Sequence, residues 1–146
     1  MDIIDSIWND LSNKIEVIDK IFPDQPNEIE EGNKEYKWKI FPTKEEIEGI
    51  FQRQEYNRNI DLKCNKLASQ MNYRLCEGDG SAVYILGVRD EGTALGISKF
   101  EMYKTILFII SAANIIDAQV NKIRLYRGIQ GSVATIRISS EYEKTI

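Results

Sequence analysis

The sequence predicts an α/β protein of the α+β kind. It has a five-stranded, mixed and largely antiparallel sheet packed by two or three helices, preceded by an N-terminal helix and an acidic arm. Three observations predict it. Apolar residues recur at helical spacing in three stretches, which reads as helices lying on a core. Between them lie short runs that alternate, or are continuously apolar, as strands do. The 146 residues, 42% of them hydrophobic, make one ordinary domain that can bury a core without disulfide staples.

The elements follow in order. Ile4, Ile7, Trp8, Leu11, Ile15, Ile18 and Phe22 keep helical spacing, so a helix is expected over about 3–21, ended by Pro23. PDQPNEIEEGNKE (23–35) is polar, acidic and broken by prolines, and reads as a linker or wrapped arm. The division expected is therefore 1–34 as helix and arm, and 35–146 as one α/β domain. EYKWKIF (35–41) sets Tyr36, Trp38 and Ile40 against Lys37 and Lys39, a half-buried strand that Pro42 ends. Thr43 and Glu46 form a capping box. The segment 44–76 is then one bent helix or two, with Ile60, Cys64, Leu67, Ala68, Met71 and Leu75 on the apolar face.

EGDG (77–80) follows that helix, and Gly78 is the candidate residue just past its end. SAVYILGV (81–88) suits a sheet centre and TALGI (93–97) a further strand. Between them Asp90, Glu91 and Gly92 fit a three-residue hairpin loop with Gly92 left-handed. Gly87 and Gly96 then fall inside strands, where glycine marks bulges or close backbone approach. FEMYKTILFIISAANII (100–116) is a helix with a wide apolar surface, KIRLYRG (122–128) and SVATIRIS (132–139) are two more strands, and EYEKTI is a polar tail.

Composition narrows the chemistry. No histidine is present, which removes histidine bases and triads and nearly every zinc site. Cys64 and Cys76 lie about 18 Å apart if on one helix, too far to bridge, and are expected as reduced, packed thiols in a cytoplasmic protein. No apolar run is long enough to span a membrane, and MDIIDSIWNDL carries acids where a signal peptide carries bases. The net charge of −4 divides into −7 for residues 1–35 and +3 for 36–146. That is unlike a bulk DNA binder, but it permits local contact with phosphate.

The glycines of 77–98 do not run from strand to helix as a phosphate loop would, and G-x-x-x-x-G-K-[ST] is absent. Glu30, Glu31, Glu35, Asp79 and Asp90 bracket strands that could be neighbours, and clustered carboxylates can hold Mg²⁺ or Mn²⁺ for phosphodiester cleavage. Acids also gather in loops simply because loops are wet. YKWK (36–39), RQEYNR (53–58) and KIRLYRG (122–128) interleave bases with aromatics, as RNA-contacting segments do and as half-buried strands do.

Two ordered segments resemble the domain that precedes the GTPase module in the GTP-binding protein one family, eukaryotic translational GTPases related to elongation factor Tu. Glu30, Gly32, Asn33, Glu35, Tyr36 and Lys37 match its acidic segment. Arg74, Leu75, Glu77, Gly78, Gly80, Ala82, Tyr84, Gly87, Val88, Asp90, Gly92 and Gly96 match its W-R-L-x-E-G…G-V-x-D-x-G stretch. The likeness covers about 28–118. These residues carry neither a P-loop nor N-K-x-D, so GTP hydrolysis does not follow, and 44–76 is longer than the family's counterpart.

As a free-standing form, the chain resembles the microsporidian ribosome dormancy factor. That resemblance implies a monomeric, cofactor-free, non-enzymatic protein that binds rRNA and ribosomal proteins at the tRNA exit (E) site of idle ribosomes and excludes tRNA. No DNA or membrane partner is implied. The phosphate contacts expected are Arg53, Arg58, Lys63, Arg124 and Arg127. A more local resemblance, to Schlafen-type domains, implies instead a metal-dependent ribonuclease using Glu30 or Glu31, Glu35 and Asp90. A third reading is an adaptor that docks a protein through helix 100–116.

Overall fold

The computed structural model describes residues 13–40 and 58–140. Its elements are β1 (Ile15–Ile21), β2 (Lys34–Lys37), α1 (Arg58–Glu77), β3 (Ser81–Leu86), α2 (Lys99–Ile115), β4 (Gln119–Arg127) and β5 (Ser132–Ser139). The five strands form one sheet in the order β1-β4-β5-β3-β2. The inner pairings, β4 with β5 and β5 with β3, are antiparallel, while the rim strands β1 and β2 run parallel to their neighbours. The α+β class and the mixed five-stranded sheet are as expected.

The identity of the fifth strand is not. The helix expected over 3–21 is overturned at 15–21, which lies in the sheet beside β4. Four of the seven residues of IEVIDKI are β-branched, and such side chains lose χ1 freedom in a helix but fit a pleated surface. Conversely, 93–97 is not a strand: its pairing with the sheet is the isolated bridge of Ile97 with Ser132. Gly87 and Gly96 take φ of +83° and +88°, outside the extended region. The hairpin loop itself forms as expected, with Gly92 N–H donating to the Arg89 carbonyl at 2.7 Å and φ of +98°. Pro42, the capping box at Thr43 and Glu46, and the apolar face before Arg58 lie outside the described residues.

Both helices cover one face of the sheet. Ala82, Tyr84 and Leu86 of β3, Ile123 of β4, and Ala134, Ile136 and Ile138 of β5 meet Leu67, Met71 and Leu75 of α1 and Ile106 and Ile109 of α2. Ser98 and Glu101 close a capping box at the start of α2. Met102 and the whole run Thr105–Ala113 are buried, so the wide apolar surface of this helix is spent on its own core. The large apolar residues that α2 leaves exposed are Phe100 and Ile115 at its two ends, so the broad face on which the adaptor reading leaned is inside the core. Cys64 is buried as expected, but Cys76 is exposed, and neither is in a disulfide.

The acidic arm is wrapped rather than loose. Arg74, on the stripe of α1 that includes Met71 and Leu75, is 4% exposed. Its Nε donates to Glu35 Oε1 at 2.9 Å. Its Nη1 and Nη2 reach the carbonyls of Ile29, Glu30, Glu31 and Gly32 at 2.9–3.2 Å. Tyr73 Oη donates to the Glu30 carbonyl, and Glu77 accepts from Gly32 N–H. Further back, Gln25 and Glu28 bond the 90–92 turn, and Phe22 packs on Tyr126. The arm thus roofs a second cluster on the far face of the sheet: Tyr36, Ile85, Val88, Ala94 and Val133.

Helix α1 ends in a Schellman motif in which Gly80 N–H reaches the Leu75 carbonyl and Asp79 N–H the Cys76 carbonyl. The left-handed residue is Asp79, at φ 58°, and not Gly78 as expected. Gly78 is needed for space: a Cβ there would stand 1.8 Å from the Ser81 carbonyl oxygen and 2.5 Å from Asn33 Cβ. Asp79→Gly is expected to raise stability by about 1 kcal/mol, and Gly78→Ala to lower it by about 2 kcal/mol, read from urea midpoints. Arg74→Met leaves the buried Glu35 with only the looser Lys37 contact at 3.8 Å and strips four arm carbonyls of their donor, and the expected loss is about 3–5 kcal/mol. A loss under about 1 kcal/mol, as for an exposed pair, would contradict the clasp.

Candidate nucleic-acid interface

Of the carboxylates proposed for a metal, Glu35 and Asp90 lie near Glu28, but the set forms no cation site among the described residues. Glu35 is 5% exposed and its oxygens are engaged by Arg74 and by Lys37 at 3.8 Å. Glu30 and Glu31 have exposed side chains and enter the arm's bonding through their carbonyls. Asp79 closes α1, and Asp90 is exposed on the turn, where its carbonyl accepts from Glu28 N–H. Among the described residues, no three Asp, Glu or Cys side chains are arranged to hold a metal ion. Glu28 is the acid whose chemistry is altered here. Its carboxylate accepts from Tyr36 N–H, yet burial, with the Glu35 and Asp90 charges nearby, holds its pKa above the ordinary 4.5. Tyr84 Oη lies buried near Glu35 and Arg74 with no hydrogen-bond partner among the described residues, and burial pushes it well above the usual phenol range.

The five bases expected to meet phosphate are scattered. Arg53 lies outside the described residues, and Arg58 stands at the first position of α1. Lys63 is exposed further along that helix. Arg127 ends β4 and pairs with Asp19 at 3.2 Å. By the two-residue period of a strand, Arg124 and Arg127 fall on opposite faces. Of Lys63, Arg124 and Arg127, it is Arg124 that falls on the sheet face the helices leave bare.

That face gathers a different set. Across it, Lys122 of β4 stands opposite Arg137 of β5, Arg137 opposite Val83 of β3, and Val83 opposite Lys34 of β2. Strands lie about 4.8 Å apart, so three cations occupy one cross-strand row, with Arg124 two residues along from Lys122. All four are exposed. The acid nearest them is Glu16 of β1, which bonds Lys122 at 2.7 Å. Lys122, with a smaller contribution from Arg124, holds its carboxyl below the usual range. Among the described residues, Arg137 and Lys34 have no carboxylate partner. Like charges placed directly opposite destabilise a sheet, and an anionic polymer laid across the row would relieve that repulsion.

Sequence reading missed this row because it needs the register. Lys34, Lys122 and Arg137 come from three distant segments, and each alone is an ordinary wet-face residue. Arg74 had a local signal, a base on the buried stripe of a helix.

The pH dependence of the arm follows from Glu28. Because it binds its proton more tightly folded than unfolded, stability falls as pH rises through the window above 4.5. Glu28→Gln keeps an acceptor for Tyr36 N–H and removes the charge. It is expected to be more stable than the parent near neutral pH, with the difference closing toward the acid end of that window, measured as urea midpoints against pH.

No protein-family model matches the chain. Over 102 residues it is 32% identical to GTP-binding protein 2 of Mus musculus and, equally, of Homo sapiens. The match takes in 70% of this chain and 14% of each relative. Over 83 residues it is 31% identical to the uncharacterized protein R625 of Acanthamoeba polyphaga mimivirus, covering 53% of this chain and 44% of that one. No solved structure matches it significantly. The chain therefore spans only a small part of the GTP-binding relatives, and what it shares with them is one region.

Proposed function

We propose that this chain is a ribosome-binding dormancy factor. It occupies the tRNA exit site of idle ribosomes and excludes tRNA, without catalysing a reaction. The cross-strand row of Lys34, Arg137 and Lys122 carries the reading. It is an exposed track of positive charge across three strands of one sheet, with no aromatic ring inside it. That suits RNA backbone, whose phosphates are recognised by charge and shape rather than by sequence. The acidic arm, held on the same sheet by Arg74, lies beside the row and can meet the basic surfaces of ribosomal proteins. The similarity to one region of GTP-binding protein 2 agrees with a binding module, and these 146 residues carry no P-loop of their own.

The test is sedimentation of the pure protein with vacant ribosomes through sucrose at rising salt. The parent is expected to co-sediment at roughly physiological salt and to be displaced as salt rises. Lys122→Gln with Arg137→Gln is expected to weaken association at every salt concentration and to flatten its salt dependence by about two phosphate contacts. Absence of the parent from the ribosome fractions, or full retention of the double variant, would overturn the proposal.

A further inference from the structure

At the opposite end of β2 the chain leaves the sheet and lies against the first turns of α2, where Thr105 Oγ1 accepts from Ile40 N–H. Two cation–aromatic pairs flank this contact. Arg89 lays its guanidinium 4.6 Å from the ring centre of Trp38, and Lys104 holds its ammonium 4.3 Å from that of Phe100. Lys39, next to Trp38, bonds Glu101, next to Phe100, at 3.0 Å. The two pairs are therefore tied together through one ion pair. Lys39 and Glu101 neutralise each other, which leaves the positive charge of Arg89, Lys99 and Lys104 around the two π surfaces.

Phe100 is 65% exposed, although it sits on a rigid turn fixed by the capping box. An exposed ring with an ammonium over one face keeps its other face as a stacking platform. The Arg89 guanidinium over the Trp38 indole offers a second cationic and aromatic surface. Nucleobases stack on both kinds of surface whatever their identity, and the flanking cations take the phosphates. In a duplex the base faces are covered, so such a site selects unpaired nucleotides.

We propose that Phe100 and the Arg89–Trp38 pair form a binding site for a short single-stranded RNA segment, separate from the phosphate track of the sheet. The inference does not rest on the ribosome reading, since binding of a free oligonucleotide can hold or fail independently of co-sedimentation. The test is fluorescence anisotropy of the full chain with a fluorescein-labelled single-stranded oligoadenylate and with a blunt RNA duplex of the same length. Phe100→Ala is expected to weaken single-strand binding about tenfold and leave duplex binding within about twofold. Phe100→Tyr, which keeps the ring, restores it. Lys122→Gln is expected to weaken both probes alike. The site is refuted if the parent does not bind the single strand, if Phe100→Ala binds it as the parent does or loses both probes equally, or if Phe100→Tyr fails to restore binding. Urea midpoints of the Phe100 variants matching the parent show that the loss is not one of folding.

Discussion

Arg74 is the point on which the architecture turns. A guanidinium buried in a core costs several kcal/mol unless its donors are met, and here one carboxylate and four backbone carbonyls meet them. Those carbonyls are consecutive, at 29–32, so a single side chain dictates the path of the arm. It also fixes the end of α1 against β2, because Glu35 belongs to that strand. The consequence reaches both faces. With the arm clasped at 29–32, the preceding residues 22–28 are led over Tyr36, Ile85 and Val133, and Glu28 is brought to the Tyr36 amide. A rim strand of four residues would otherwise be a weak edge, and the arm shields it.

What could be read in the sequence was whatever local periodicity controls. Helix 100–116, the strands at 81–88, 122–128 and 132–139, and the turn at Asp90–Gly92 all declare themselves within about ten residues. Local pattern failed where pairing partners decide. Ile15, Ile18 and Phe22 are as well spaced for a helix as for a strand with an irregular edge. The choice is made by β4, more than a hundred residues away. Residues 93–97 look like a strand, but backbone turned through positive φ at both ends of the segment cannot add to the sheet. Gly78 and Asp79 exchanged roles for a related reason. The helix end demanded a left-handed residue one place later, while Ser81 and Asn33 demanded the empty side chain.

Site chemistry was legible in the same measure. The acids of the arm were visible as a cluster, but their environment was not. Glu35 is held by a cation the clasp buries, and Glu30 and Glu31 contribute peptide oxygens rather than carboxylates. Interleaved bases and aromatics were visible too. Yet alternation assigns Arg124 and Arg127 to opposite faces, and Arg127 finds Asp19. The cations that do line up, Lys34, Lys122 and Arg137, are aligned by strand order, which no single segment contains.

The clasp and the cation row are coupled through the arm. By covering only the half of the far face that holds Val133 and Tyr126, the arm leaves the half holding Arg137 and Lys122 open to solvent. Were the arm released, the apolar cluster beneath it would be uncovered beside the row, and the face would no longer be a purely electrostatic surface. Burying the cost of one arginine on the helix side thus defines the chemical character of the opposite side. The sheet holds Lys122 and Arg137 opposite one another at a spacing that their mutual repulsion would not choose. Glu16 offsets part of that repulsion at the β1 side. At the β2 side Val83 separates Arg137 from Lys34, so the two cations that face each other directly are Lys122 and Arg137, and the Glu16 carboxylate meets only the first of them.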